Sequence, residues 1–500
     1  MKRQTFKCMI RTLAPIHLGC DEVYEPMSFT VDEENGRIVV FDPFYFIGVL
    51  DPEERAQFAE ICKKGTITSI LEVYKFLRNK KAEGRDVPVC KDFLEHYNKT
   101  LSLPLNDEKA IRDNLNKFQI PRTAFLQADQ RPYIPGSAIK GALRTGTLNA
   151  SRSGGPNEPE VKSSRQLEEM LLNYHGIPGD PFRMVKVSDF RPVGPAKTRV
   201  IYAVNEKKKP SDKDSQGLPL LLEAVQSETV FEGSITVDEP LEQAGIRRPL
   251  SLRDILRGSD SFFRKEMARE AGEPDRVGAG SEKGSSPSDG AYLLRIGKHS
   301  GAECVTVEGY RDILIRLGRK KTTRAPAATT VWLASEQRRP SDKKTLLPFG
   351  WVEIVELTPD QKRRNQEMER EWQLKAEERE ALRRAEKERA REEERRAREQ
   401  RERRAREEAE RKAEEERRKA ELEAMSPEQR DIARLSDPAI TEKEVVEIFN
   451  RINQFSAENR PALARALKGY WQEHGKWRGK DLSKKQSQKV QRIKEILGEL

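Results

Sequence analysis

Between Leu382 and Leu422 no apolar residue larger than alanine occurs, and Glu and Arg alternate in short blocks with many opposite-charge pairs three and four positions apart. Such a stretch cannot enter a core, because nothing in it offsets the desolvation of its charges. It cannot form a coiled coil either, since that needs large apolar residues at two positions in every heptad. The pattern predicts one charge-stabilised helix over about 358–425, a spacer that could reach roughly 90 Å at ~1.5 Å per residue. Residues 361–424 hold 23 Lys and Arg against 21 Asp and Glu, so the helix explains the charge density of the chain but not its formal net charge of +10. The excess lies on the segments either side, and it favours a polyanionic partner.

At 500 residues the chain exceeds what one core usually organises. Its five cysteines, Cys8, Cys20, Cys62, Cys90 and Cys304, are scattered and never spaced as C-x-x-C. That argues against a disulfide framework or a zinc ribbon and for reduced thiols; no metal site and no cofactor is expected. No run of apolar residues has the length of a membrane span, and the first residues lack the apolar core of a signal peptide, so a soluble, cytoplasmic protein is expected.

Ahead of the charged run the texture is α+β. A strand is expected over 5–13, then a turn, Pro15-Ile16-His17-Leu18-Gly19, that exposes an imidazole. Asn35-Gly36 joins two further strands as a hairpin. From 51 to 120 the pattern is helical, with no clear strand, and reads as an insertion. Apolar and β-branched runs at 182–187, 199–204 and 220–237 resume the sheet, and 252–271 reads as helix. Residues 272–290, rich in Gly, Ser and Pro, read as disordered. More strands are expected at 291–296, 331–334 and 351–357. The loop after the first of these places Lys298 and His299 between glycines, either as a surface turn or as a backbone that a ligand can approach closely.

The stretch Tyr133-Ile134-Pro135-Gly136-Ser137-Ala138-Ile139-Lys140-Gly141-Ala142-Leu143-Arg144 delivers a helix N-terminus from a loop. Ser137 is the expected N-cap, Ile139 and Leu143 share an apolar face, and Lys140 and Arg144 share a basic one. Free N–H donors, the positive end of a helix and two cations make a phosphate cradle; the alternative is an ordinary amphipathic helix with solvated charges. A mononucleotide P-loop is excluded, because Ala142 stands where the lysine after the second glycine must be.

After the charged run Ser426-Pro427-Glu428 starts a small helical domain. Between Lys468 and Lys494 nine Lys and Arg face two acidic residues, interleaved with Tyr470, Trp471 and Trp477. Lys476, Trp477 and Arg478 are therefore candidate RNA contacts, the alternative being that Trp471 and Trp477 fill the core of this domain.

Three separated elements carry a family likeness: Ala14-Pro15-Ile16-His17-Leu18-Gly19, the stretch Ile134–Arg144, and the glycine-rich loop Gly297–Gly301 followed by Pro348-Phe349-Gly350-Trp351. Together they resemble the RAMP superfamily of CRISPR-associated proteins, and within it the fifth subunits of type III-A (Csm) effector complexes. The likeness covers about 1–357. It implies an α+β chain with two ferredoxin-like (RRM-like) modules, 1–240 with a helical insertion at about 51–120 and 241–357; the charged helix at 358–425 and the basic helical domain at 426–500 lie outside it and rest on the residue pattern alone. It further implies a non-catalytic subunit that caps the filament near the 3′ end of the guide RNA and supports guide maturation in antiviral defence. The implied partners are guide RNA, the other subunits of the complex and host ribonucleases, with no membrane involved. Candidate RNA-binding residues are then His17, Gly136, Ser137, Lys140, Arg144, Lys298, His299, Lys476, Trp477 and Arg478. Two other functions stay open: a metal-independent endoribonuclease with His17 as catalyst, seconded by His299 and Lys298 if they converge, and a protein-only scaffold.

Overall fold

The computed structural model describes residues 3–152, 160–209, 215, 217–271, 286–316, 321–479 and 482–499. It divides into two compact units, Met1–Glu377 and Glu378–Leu500.

In the first unit the strand Arg3–Thr12 buries alternate residues, Cys8, Ile10 and Thr12, and takes the centre of a sheet. Its antiparallel neighbours are Val230–Asp238 on one side and Trp351–Glu356 on the other. Tyr292–Arg295 pairs outside the latter, and Val185–Val187 and Arg191–Pro192 outside the former. Helices Gly136–Ala150 and Leu252–Ala271 pack on this sheet and on one another. They approach so closely that a side chain at Gly146 would meet the Ser259 backbone at 2.5 Å. In chain order the layer runs strand, helix, three strands, helix, two strands.

A second sheet orders Leu220–Val225, Thr198–Lys207, Thr330–Ser335 and Leu347–Pro348. Both sheets thus take strands from either side of residue 240, the boundary that the likeness implied. Residues 51–120 hold the helices Pro52–Lys63, Ile67–Leu77, Phe93–Leu101 and Glu108–Lys117. They also contain a strand the sequence pattern did not show, Arg85–Pro88, which pairs with Arg37–Val40 of the Asn35-Gly36 hairpin. Phe93, Tyr97, Ile111 and Phe118 from these helices pack with Val200, Tyr202 and Leu222 of the second sheet. The segment expected to be disordered, 272–290, falls largely outside the described residues.

A single helix runs from Pro359 to Ala424. Its first turns belong to the first unit, where Glu369 takes both terminal nitrogens of Arg131 at 2.8 Å and the backbone N–H of Gly194 at 2.9 Å. The Arg131 guanidinium also lies 3.6 Å over the Trp372 ring. Farther along, Glu and Arg or Lys pair four residues apart, as at Glu392–Arg396 (2.6 Å) and Glu408–Lys412 (2.9 Å).

In the second unit Ser426 caps Pro427–Arg434 with a reciprocal bond to Gln429, and Thr441 caps Glu442–Asn450 in the same way with Glu444. Helices Arg460–Glu473 and Lys484–Leu497 complete a small core around Leu463, Leu467, Trp471, Trp477 and Ile493.

Candidate nucleic-acid interface

Two of the three separated motifs, the turn Ala14–Gly19 and the glycine-rich loop with Pro348–Trp351, are brought together at the ends of the first sheet's strands; the stretch Ile134–Arg144 joins the same core through Ile134, Ile139 and Leu143. The turn after Arg3–Thr12 is held by reciprocal backbone bonds between Ile16 and Val225 (3.0 and 2.8 Å). Onto it fold both later loops: Lys298 donates its backbone N–H to the His17 carbonyl at 2.9 Å, and Gly350 donates to the Pro15 carbonyl at 2.9 Å. Gly297 (φ +84°) lies so close that a Cβ there would stand 2.6 Å from the His17 carbonyl oxygen. Only glycine meets both demands, a left-handed backbone and contact with another backbone.

His17 is not the exposed imidazole expected from its turn. It is 1% exposed, and its Nδ1 lies 2.7 Å from the backbone carbonyl of Glu223. Burial lowers its pKa, and the nearby Lys298 charge lowers it further. His299 does converge with it. Its ring packs against Trp332 and Phe349, 5.1 and 5.3 Å between centroids. Burial, with His17 and Lys298 adding to it, brings the His299 pKa down to about 4. Both imidazoles are therefore neutral packing elements at neutral pH. Lys298 is exposed, and its side chain lies over Gly19, where a Cβ would meet Nζ at 2.6 Å. Behind the loop Arg295 is buried on Glu270 (2.7 Å) and donates to the Phe349 carbonyl (2.8 Å), which ties the Phe349 segment to the helix Leu252–Ala271.

The helix of the central motif begins at Gly136 rather than after Ser137. Ser137 is exposed and does not cap it; the Gly136 N–H instead donates to the carboxylate of Asp189 at 2.8 Å. One of the free N–H groups at the positive end of the helix is thus satisfied from within the chain. Arg144 is similarly engaged, donating to Glu168 from Nε at 2.8 Å and to Asp180 from Nη1 at 2.9 Å, with the Phe182 ring 5.0 Å away. Lys140, half-buried one turn earlier, makes no ion pair among the described residues. Burial lowers its pKa, with Asp180 opposing and Arg144 reinforcing the shift.

A cationic element that the motif search missed is the hairpin of Ile313–Arg316 and Thr322–Ala325, paired to neither large sheet. Leu314 and Arg324 stand opposite one another, both exposed, as do Arg316 and Thr322. The run Arg316-Leu317-Gly318-Arg319-Lys320-Lys321 supplied a signal, a glycine amid cations between two Ile- and Thr-bearing stretches. In the second unit Trp471 and Trp477 are 2% and 4% exposed and fill the core; Lys476 pairs with Glu442, and Arg478 is exposed.

The family model of the RAMP superfamily matches residues 9–471. A curated relative, the CRISPR system Cms protein Csm5 of Streptococcus thermophilus, is 25% identical over 356 residues, which cover 64% of this chain and 85% of the relative. Among solved structures, a chain of the cryo-EM Csm–crRNA–target RNA ternary complex of a type III-A CRISPR-Cas system aligns with TM-score 0.47 at 19% identity, over 70% of this chain and all of that one. The crystal structure of T. onnurineus Csm5 aligns with TM-score 0.40 at 16% identity, over 69% and 99%. With the family match extending over most of its length, the chain belongs to the RAMP superfamily and is similar to Csm5.

Proposed function

We propose that the protein is a non-catalytic, RNA-binding subunit of a type III-A CRISPR effector complex, working with guide RNA and the other subunits. Within that reading it caps the filament near the guide 3′ end and supports maturation of the guide, with trimming left to host ribonucleases, in the cytoplasm. The observation that carries it is the family match over residues 9–471 together with the likeness to Csm5. No helix among the described residues is long and apolar enough to cross a membrane. With the short Arg191–Pro192 and the added Trp351–Glu356 set aside, the first sheet follows a strand–helix–strand–strand–helix–strand order, which supports a ferredoxin-like, RRM-like layer. Among the described residues the exposed cations Lys298, Arg316 and Lys321 suit phosphates rather than base edges, so RNA binding is expected to be weakly dependent on sequence. Replacing Lys140 and Lys298 with Ala should weaken binding of single-stranded RNA and flatten its salt dependence. Unchanged affinity and slope in a folded double variant would count against this interface.

One observation favours the endoribonuclease reading: His17, Lys298 and His299 do meet. Against it, the His17 ring is buried, and a general acid–base must reach the proton that it moves. Labelled repeat RNA incubated with the protein and a chelator should stay intact. Cleavage that disappears in His17→Ala would replace the non-catalytic reading.

A further inference from the structure

The second unit distributes its charge unevenly. Over 426–459 acidic residues outnumber basic ones seven to four, whereas over 460–494 basic residues outnumber acidic ones eleven to two. Part of this excess is neutralised inside the unit. Lys468 bonds Glu499 (2.5 Å), Lys476 pairs with Glu442, Arg492 bonds Glu495 (2.9 Å), and Arg460 donates to the carbonyls of Asn453 and Phe455. Among the described residues Arg465, Arg478, Lys484, Lys485 and Lys494 form no ion pair, and Lys489 has only a longer-range attraction to Glu442. Val490 and Ile493 turn one side of Lys484–Leu497 into the core. Lys485 and Lys489 lie one turn apart, ~6 Å along the axis, with Arg492 next on the same side.

Two further facts narrow the partner. The aromatic rings that might have stacked on bases are engaged: Trp471 and Trp477 are core, the Phe449 ring lies under Lys489 at 5.7 Å, and Tyr470 stacks on His474 at 4.1 Å. Moreover, among the described residues beyond Leu382 no large apolar side chain is exposed. Among its described residues the unit therefore shows neither the apolar face that inserts into a bilayer nor the apolar anchor that most protein partners grip. What it offers is a rigid helical body with unpaired cations.

We propose that the C-terminal unit is a second RNA contact, separate from the interface of the first unit, which holds the phosphate backbone of a single strand by charge alone. This rests on the reading of the protein as an RNA-binding subunit. The test uses the full chain and the variant Arg478→Ala/Lys484→Ala/Lys485→Ala/Lys489→Ala, with labelled single-stranded RNAs of two unrelated sequences titrated at several salt concentrations. Each lost phosphate contact removes ~0.7 from the slope of log K against log salt, so the slope should flatten by about 2–3, equally for both sequences. If the unaltered chain binds no RNA, the functional reading falls, and this one with it. If the unaltered chain binds and the variant keeps its slope, only this proposal falls. Loss of binding to phosphatidylserine vesicles with the RNA slope intact would assign the surface to membranes and overturn it as well. Circular dichroism and thermal melting verify folding; should the quadruple variant unfold, Lys484→Gln/Lys485→Gln, at two exposed positions, should still lower the slope by about 1.

Discussion

Arg144 offers a way to separate holding the fold from holding RNA. Its side chain is 22% exposed, those of its partners Glu168 and Asp180 30% and 19%. Exposed ion pairs contribute about 0–1 kcal/mol, and breaking a fully buried one costs about 3–5 kcal/mol. This triad lies between the two, and losing the contact with Phe182 adds about 0.5–1 kcal/mol. Arg144→Ala should therefore destabilise the first unit by about 2–3 kcal/mol. With an unfolding entropy of about 2.1 cal/mol/K per residue, the unit Met1–Glu377 has about 0.8 kcal/mol/K, so Tm should fall by about 3 °C. The coupling can be isolated with a double-mutant cycle against Glu168→Gln, read by calorimetry. Lys140→Ala should leave Tm nearly unchanged and lower RNA affinity instead. The argument is refuted if Arg144→Ala keeps the wild-type Tm while losing as much RNA affinity and salt slope as Lys140→Ala.

Other outcomes follow from the same structure. His96 and His299 are held near pKa 4 and His17 below its ordinary value, mainly by burial, while in the unfolded chain all three titrate near ~6.5. The unfolded state then binds more protons between those values, so stability should fall as pH drops from about 6.5 toward about 4; a urea midpoint that stays flat across that interval would contradict it. Gly297→Ala forces a left-handed backbone on alanine, about 1–2 kcal/mol, and drives its Cβ toward the His17 carbonyl. It should lower both Tm and RNA affinity, and a variant as stable as the parent would show that the loop is not clamped. A peptide of residues 378–420 should be helical independently of concentration and partly melted by molar salt, its Glu–Arg pairs contributing ~0.2–0.5 kcal/mol each. A dimer mass on sedimentation would mark it as a coiled coil.

Much of the local structure was legible because local chemistry decides it. The helix Leu252–Ala271 shows its apolar spacing, Asn35-Gly36 its turn, and the charged run its lack of any core-forming face. Arg85–Pro88 was not legible, since four residues with Arg and Asp carry no strand pattern, and only pairing with Arg37–Val40 makes them one. The site was legible as a set of loops but not as an environment. The carbonyl that binds His17 belongs to a residue 206 positions away, and the carboxylate that caps Gly136 to one 53 positions away. No reading of the turn or of the helix alone could have shown that either was already occupied.

The central place of Arg3–Thr12 in its sheet bears on how the chain is made. This strand leaves the ribosome long before one neighbour, Trp351–Glu356, which follows after most of the first unit has been translated. At ~5–20 residues per second that edge stays open for tens of seconds, with Cys8 and Ile10 lacking their final cover. The second unit, four helices in local sequence order, can close almost as soon as it emerges. The nascent first unit is therefore the species most in need of chaperones, and the window of its exposure is set by the position of one strand.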